Sequence, residues 1–166
     1  VCENSPAVFV ALPGNPGYSY AWTFGDGSTS SISLTQHAYV TAGSYQVNLT
    51  ITDEMGCVAT ASNTITVNPT PICPITVSDT TFCPGDSVTF NACAGMSSYQ
   101  WYKNGTMILG ANSQTYVANQ VGEYWAVVTN NFGCSSKTNK IFIYMSELPK
   151  AEITGEGHVC GTAGGM

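Results

Sequence analysis

The chain has 166 residues, of which 8% are charged, with four Lys, no Arg and a formal net charge of −6. That balance argues against a nucleic-acid partner or an anionic membrane surface, and no apolar run approaches the ~18 residues needed to cross a bilayer. Seven Cys against two His, with no C-x-x-C pair, fit a disulfide-forming exterior better than metal chemistry.

Taken in chain order, "YAWTFGDG" (20–27) sets Tyr20, Trp22 and Phe24 on one face of a strand and then stops in Gly-Asp-Gly. The triplet reads as a turn, because Gly supplies positive φ and Asp a local acceptor. A phosphate loop would need a helix after it, whereas "STSSISLT" (28–35) reads as another strand. "YQVNLTITD" (45–53) alternates Tyr, Val, Leu and Ile with Gln, Asn and Thr, and "NTITV" (63–67) and "SVTFNA" (87–92) follow the same period of two. Turn residues recur every eight to twelve positions and no helical stretch competes. About seven short strands per ~75 residues is the pattern of a β-sandwich.

The chain also repeats itself. "VCENSPAVF" (1–9) returns as "FCPGDSVTF" (82–90) and in part as "VCGTAGG" (159–165). Trp22 recurs as Trp101, Gly43-x-Tyr45 as Gly122-x-Tyr124, Gly56-Cys57 as Gly133-Cys134, and Asn63-x-Ile65 as Asn139-x-Ile141. Two landmark sets and the start of a third describe an elongated tandem array joined by the Pro-bearing linkers "NPTP" and "SELPK". The expected units are residues 1–70, with a first strand missing, 71–146, and 147–166 as linker and the opening of a third repeat. With no signal segment at its start, the sequence reads as an internal or processed fragment.

On "WTFGDG", "HAY", "GSYQVNLTITD" and "NTITV", the first repeat resembles a PKD domain. On "YQWYKNG" and "GEYWAVVTN", the second resembles a bacterial Ig-like domain, in which Tyr124 would be the tyrosine corner and Ala92 and Ala126 stand where antibody-type domains carry their inter-sheet Cys pair. The expected fold is therefore all-β, tandem PKD and Ig-like sandwiches. Arrays of this kind resemble the tandem-repeat surface and gliding adhesins secreted by Bacteroidota-type bacteria. That resemblance implies a non-catalytic segment of an extracellular fibre, whose partners are neighbouring repeats, glycan or protein ligands, or adjacent filaments. The alternative is an accessory module of a secreted polysaccharide- or protein-degrading enzyme.

Candidate sites are few. His37, in "HAY", reads as a structural hydrogen-bonder, and His158 lies in the incomplete third repeat. No nucleophile elbow or paired carboxylates suggest an enzyme, and no cofactor is expected. Asp26 with Asp53 or Glu54 is a weak Ca²⁺ candidate without a dense acidic run. The period of two turns Tyr102, Trp125, Val127, Phe142 and Tyr144 outward, which gives either one exposed apolar sheet face as a candidate contact surface or, with a shifted register of the last strand or a neighbouring loop over it, a covered face. "DSV" (86–88) and "DTT" (79–81) resemble the short O-glycosylation acceptor sequence of that bacterial group, which implies Ser87 and Thr80 as candidate sites, while the sequons at Asn48 and Asn104 would be idle in a bacterium.

The cysteines carry the sharpest expectation. Cys73 and Cys93 flank Cys83 at equal spacing, so a hairpin between the first two strands of the second repeat pairs them, with Cys73–Cys134 left as an alternative. Pairing within repeats would give Cys2–Cys57 and Cys83–Cys134. Sandwich topology argues instead that these partners lie at opposite ends of strands about 25 Å long, beyond the ~7 Å that a disulfide spans. In a tandem array Cys2 is expected to meet Cys134 across the junction, with Cys57, Cys83 and Cys160 awaiting other repeats; the pairs within repeats stay as the alternative should the strand ends be displaced.

Overall fold

The computed structural model describes residues 1–12 and 14–152, which form fifteen β-strands and no helix. The first six build one sandwich: β1 (Pro6–Val10), β2 (Ser19–Thr23), β3 (Thr29–Ser30), β4 (Leu34–Ala38), β5 (Gly43–Thr52) and β6 (Val58–Val67). One layer is the antiparallel pair β1–β4, and the other runs β3-β2-β5-β6. The alternation in β5 does what its period dictates. Val47 and Leu49 are buried, and Tyr45 and Ile51 pack beside them against Phe9, Trp22, Phe24, Tyr39 and Val67.

The second sandwich comprises β7 (Thr76–Val77), β8 (Thr81–Phe82), β9 (Val88–Asn91), β10 (Ser98–Lys103), β11 (Thr106–Met107), β12 (Thr115–Ala118), β13 (Gly122–Thr129), β14 (Ser135–Lys137) and β15 (Ile141–Met145). One sheet runs β11-β10-β13-β15-β8 with β14 also on β13, and the other β12-β9-β7. Between them lie Ile75, Phe82, Phe90, Trp101, Tyr124, Val128 and Ile143. Trp101 is fully enclosed, and its indole N–H donates to the Ser113 carbonyl at 2.8 Å, so burying the ring strands no polar atom.

One sequence expectation changes. The single strand expected over 28–35 is divided. β3 pairs with β2, the chain then crosses between layers, and β4 pairs with β1. The crossing is fixed where Trp22 Nε1 donates to the Ile32 carbonyl at 3.0 Å. The last strand of the second sandwich is also split, since β14 and β15 both pair with β13 but at opposite ends of it. Thr138 fills the break, its N–H donating to the Ala126 carbonyl at 2.9 Å while its hydroxyl accepts from the Ala126 N–H at 2.9 Å. A two-fold alternation cannot reveal such interruptions, because residues on either side of a break keep their own period.

Candidate functional site

The repeated landmarks fold into repeated local structures. In both sandwiches a Tyr near the start of the long strand bonds back to the carbonyl four residues upstream: Tyr45 Oη to Thr41 at 2.7 Å and Tyr124 Oη to Gln120 at 2.9 Å. Tyr45 plays the same part as Tyr124, which the shared Gly-x-Tyr spacing signals.

The hairpins ending in Gly-Cys also match. Asp53 Oδ1 accepts from the N–H groups of Met55 (2.9 Å) and Cys57 (2.7 Å), and Asn130 Oδ1 from those of Phe132 and Cys134, both at 3.0 Å. Gly56 and Gly133 close the two turns at φ 84° and 79°, a region that favours glycine.

These hairpins meet the opening Cys turn at one junction. Cys2 and Cys134 are joined by a disulfide, with their Cα atoms 5.6 Å apart across a sequence separation of 132. The linker is held on both sides of that bond. Asn130 Nδ2 donates to the Pro69 carbonyl at 2.8 Å, and the Ser136 hydroxyl donates to the Pro71 carbonyl. From the first sandwich the Glu3 carboxylate accepts from Thr70 N–H at 2.9 Å, Thr70 Oγ1 at 3.1 Å and Ala42 N–H at 2.7 Å. The Thr70 and Ala42 amides hold the Glu3 carboxyl below the usual carboxylate range. Asn139 then clamps the start of the second sandwich, accepting from Ile75 N–H at 2.6 Å and donating to its carbonyl at 3.3 Å. Chain entropy assigns a cross-link of this span an unfolded-state effect on the order of 4–5 kcal/mol. Asn139 belongs to the repeated Asn-x-Ile landmark, whereas Glu3, Asn130 and Ser136 carry no motif that would have marked them beforehand.

Residues 1–67 match the family of PKD domains. Residues 1–67 are a PKD domain. Within the chain, 50 residues are 44% identical to a microbial collagenase of Vibrio alginolyticus, covering 30% of this chain and 6% of that protein. Another 50-residue match is 46% identical to the pre-pro-metalloprotease PrtV of Vibrio cholerae, covering 30% of this chain and 5% of that protein. The chain thus spans a small fraction of the curated relatives it matches. Among solved structures, the PKD1 domain of Vibrio anguillarum Epp is 31% identical, covering 40% of this chain and 99% of that one, with a TM-score of 0.31.

In the PKD domain, Gly25-Asp26-Gly27 is a turn. Asp26 Oδ1 accepts from Ser28 N–H at 3.0 Å, and Oδ2 lies 2.7 Å from His37 Nε2. His37 is a packing residue as well as a partner, stacked on Phe24 at 4.3 Å and edge-on to Tyr39 at 4.6 Å. The Ser28 N–H and His37 bonds outweigh desolvation, which is the largest single contribution, so the Asp26 carboxyl sits below its ordinary value. The Ca²⁺ candidate is corrected on this geometry. Asp26 and Asp53 are each committed to the amides of a separate turn, and among the described residues no three acidic, His or Cys side chains gather to hold a cation.

The aromatic face of the second sandwich needs a larger correction. Trp125 lies directly across from Tyr102 in the ladder, as the period required, but only 8% of it is exposed. The Tyr102 ring stacks on it at 4.1 Å, and Lys137 Nζ sits 5.2 Å from its centroid. Tyr102 and Val127 are half-buried, which leaves Phe142 and Tyr144 as the exposed pair, at 42% and 58%. The sheet covers its own indole, so a ligand cannot stack on Trp125. Alternation fixes the side to which a residue points, whereas cross-strand neighbours decide how deeply it is covered.

Of the remaining candidates, Cys73 is bonded to Cys93, with Cα atoms 5.5 Å apart. Cys57 and Cys83 are free and exposed. Ser87 and Thr80 are exposed, as O-linked sugar would require. Cys160, His158 and the expected third repeat lie outside the described residues.

Proposed function

We propose that this chain is a non-catalytic spacer segment of a larger extracellular protein, in which a PKD unit (1–70) and an Ig-like unit (71–146) are held in fixed relation. The observation that carries the reading is the Cys2–Cys134 disulfide, set among hydrogen bonds that grip the linker from both sides. Two adjacent sandwiches need no such bond merely to fold, since each has its own hydrophobic cluster. A covalent bridge at their junction instead suppresses relative motion, which is otherwise the default across small interdomain contacts. Stable disulfides also belong to oxidising compartments, in keeping with an extracellular location.

Two parents fit such a spacer. Recurrence of the same landmarks along the chain favours a long surface fibre or adhesin, in which neighbouring repeats are the partners. The likeness of its PKD domain to segments of a collagenase and a metalloprotease favours an accessory module beside a catalytic domain. In either parent the segment contributes reach and stiffness.

Small-angle scattering of the oxidised chain and of Cys2→Ser tests the spacer reading. The oxidised chain is expected to fit a single elongated conformation, and Cys2→Ser to need a broadened set of interdomain orientations. Indistinguishable curves would reject stiffening by the disulfide.

A further inference from the structure

Among the described residues, the free cysteines Cys83 and Cys57 sit where Cys2 and Cys134 sit in the other sandwich. Cys83 opens the same turn as Cys2. Asp86 N–H donates to the Cys83 carbonyl at 3.0 Å, and Ser5 N–H to the Cys2 carbonyl at 3.1 Å. The residue two places on has positive φ in each, Gly85 at 95° and Asn4 at 59°. Each Cys also lies beside the last strand of its own sandwich in parallel register: Cys2 bridges Asn68, and Phe82, next to Cys83, pairs with Met145. At the opposite end Cys57 completes the hairpin that Cys134 completes in the second sandwich, with matching Asx bonds.

The strand ladders keep these ends apart. Cys57 immediately precedes β6, and Cys2 bridges the residue just after it, so the ten-residue strand puts them about 33 Å apart at ~3.3 Å per residue. The second sandwich repeats the arrangement, with Cys134 at the hairpin and Cys83 beside the far end of β15. A unit whose middle junction joins a Cys2-type turn to a Cys134-type hairpin thus leaves one free hairpin, at Cys57, and one free turn, at Cys83. Around that turn is an open cleft of about 700 Å³, lined by Asp79, Phe82, Cys83, Asp86 and Ser146 among others.

We propose that Cys57 and Cys83 are complementary halves of a further junction of the Cys2–Cys134 kind, so that a second copy of this chain docks its Cys57 hairpin at the Cys83 end and closes a disulfide there. The proposal rests on the spacer reading and extends it to assembly. The contact is head to tail, so each added copy again presents a free Cys57 hairpin at one end and a free Cys83 turn at the other. A small-molecule disulfide such as oxidised glutathione accepts the two electrons. The Cys57 thiolate attacks it and releases one small thiol. The Cys83 thiolate of the other copy then attacks the Cys57 sulfur and releases the second, each protein thiol giving up its proton to solvent or to the departing thiolate. Asp53 and Glu54 of the hairpin approach Asp79 and Asp86 of the cleft, so added salt speeds the joining.

The test uses the full chain in a Cys160→Ser background, which leaves Cys57 and Cys83 as the two free thiols. Cys83→Ser chain and isotope-labelled Cys57→Ser chain are mixed in equal amounts in a glutathione redox buffer, and the covalent dimers are resolved by mass. The expected result is an excess of the mixed dimer over the statistical proportion by roughly tenfold, as docking raises the effective concentration of the correct pair. A statistical mixture of mixed and like dimers, or no dimer, would overturn the proposal. Peptide mapping of the same samples for Cys2–Cys134 keeps the two ideas separate: its loss counts against the spacer reading, while its presence beside a statistical mixture counts against this junction alone. In the unsubstituted pair of thiols, a cross-linked Cys57–Cys83 peptide from oligomeric fractions is the second expected readout.

Discussion

The Glu3 carboxylate bonds both the N–H and the hydroxyl of Thr70, at 2.9 and 3.1 Å, and so ties the opening turn of the first sandwich to the linker that leaves it. Because Ala42 N–H donates to the same carboxylate, three donors converge on one half-buried charge.

That convergence makes the junction acid-sensitive. Amide bonds from Thr70 and Ala42 lower the folded-state pKa of Glu3, so its contribution is complete above the unfolded value of about 4.3 and is lost as pH falls through the lower folded value. Limited proteolysis at the 68–71 linker should therefore be slow at neutral pH and accelerate in acid. Glu3→Gln is expected to raise cleavage at neutral pH and flatten this dependence; unchanged cleavage would remove Glu3 from the junction.

Tyr124 predicts the opposite, alkaline limit. Burial, with a smaller contribution from Tyr116, pushes its phenol up to about 12, while the unfolded phenol ionises near 10. A raised folded pKa gives stability that is whole below the unfolded value and disappears as pH climbs through the folded one. Urea midpoints should thus fall between about pH 10 and 12. Tyr124→Phe should cost about 1 kcal/mol at neutral pH by orphaning the Gln120 carbonyl, and should weaken the alkaline decline.

Gly25 and Gly27 flank Asp26 but should not tolerate substitution equally. A Cβ on Gly25, at φ 81°, would lie 2.7 Å from the Gln46 carbonyl oxygen, whereas one on Gly27, at φ 92°, would meet nothing within 4 Å. Gly27→Ala is expected to cost about 1 kcal/mol, the conformational component alone, and Gly25→Ala at least ~2 kcal/mol because backbone must also move. Equal losses in chemical denaturation would refute the steric distinction.

The covered indole gives a third contrast. Among the described residues Trp125 Nε1 is buried without a hydrogen-bond partner, while the ring fills the space between Tyr102 and Lys137. Trp125→Phe retains most of the stack and removes the unpaired donor, whereas Trp125→Ala removes the stack. Alanine should be the more destabilising by about 2 kcal/mol. A phenylalanine variant as unstable as the alanine one would show that the indole N–H has a partner.

The sequence by itself determined the all-β fold and its repetition. Alternation over 45–53 and 63–67 can satisfy only strands with one buried face, and Gly-x-Tyr and Gly-Cys recur because each builds a local turn from residues close in the chain. The direction of Trp125 was legible for the same reason, since a strand's period is fixed by its backbone. Its burial was not, because cover came from Tyr102 on β10 and Lys137 on β14. The junction likewise belonged to tertiary structure. Glu3, Asn130, Ser136 and Asn139 are ordinary polar residues until the fold brings them to backbone groups 61–67 positions away. Cys2 could be argued toward Cys134 from strand direction, but only the packing of one sandwich's hairpin under the other's opening turn brings their Cα atoms to 5.6 Å. Local rules set strands and turns because their atoms are joined by a few bonds. The long-range pairings depend on where whole sheets come to rest.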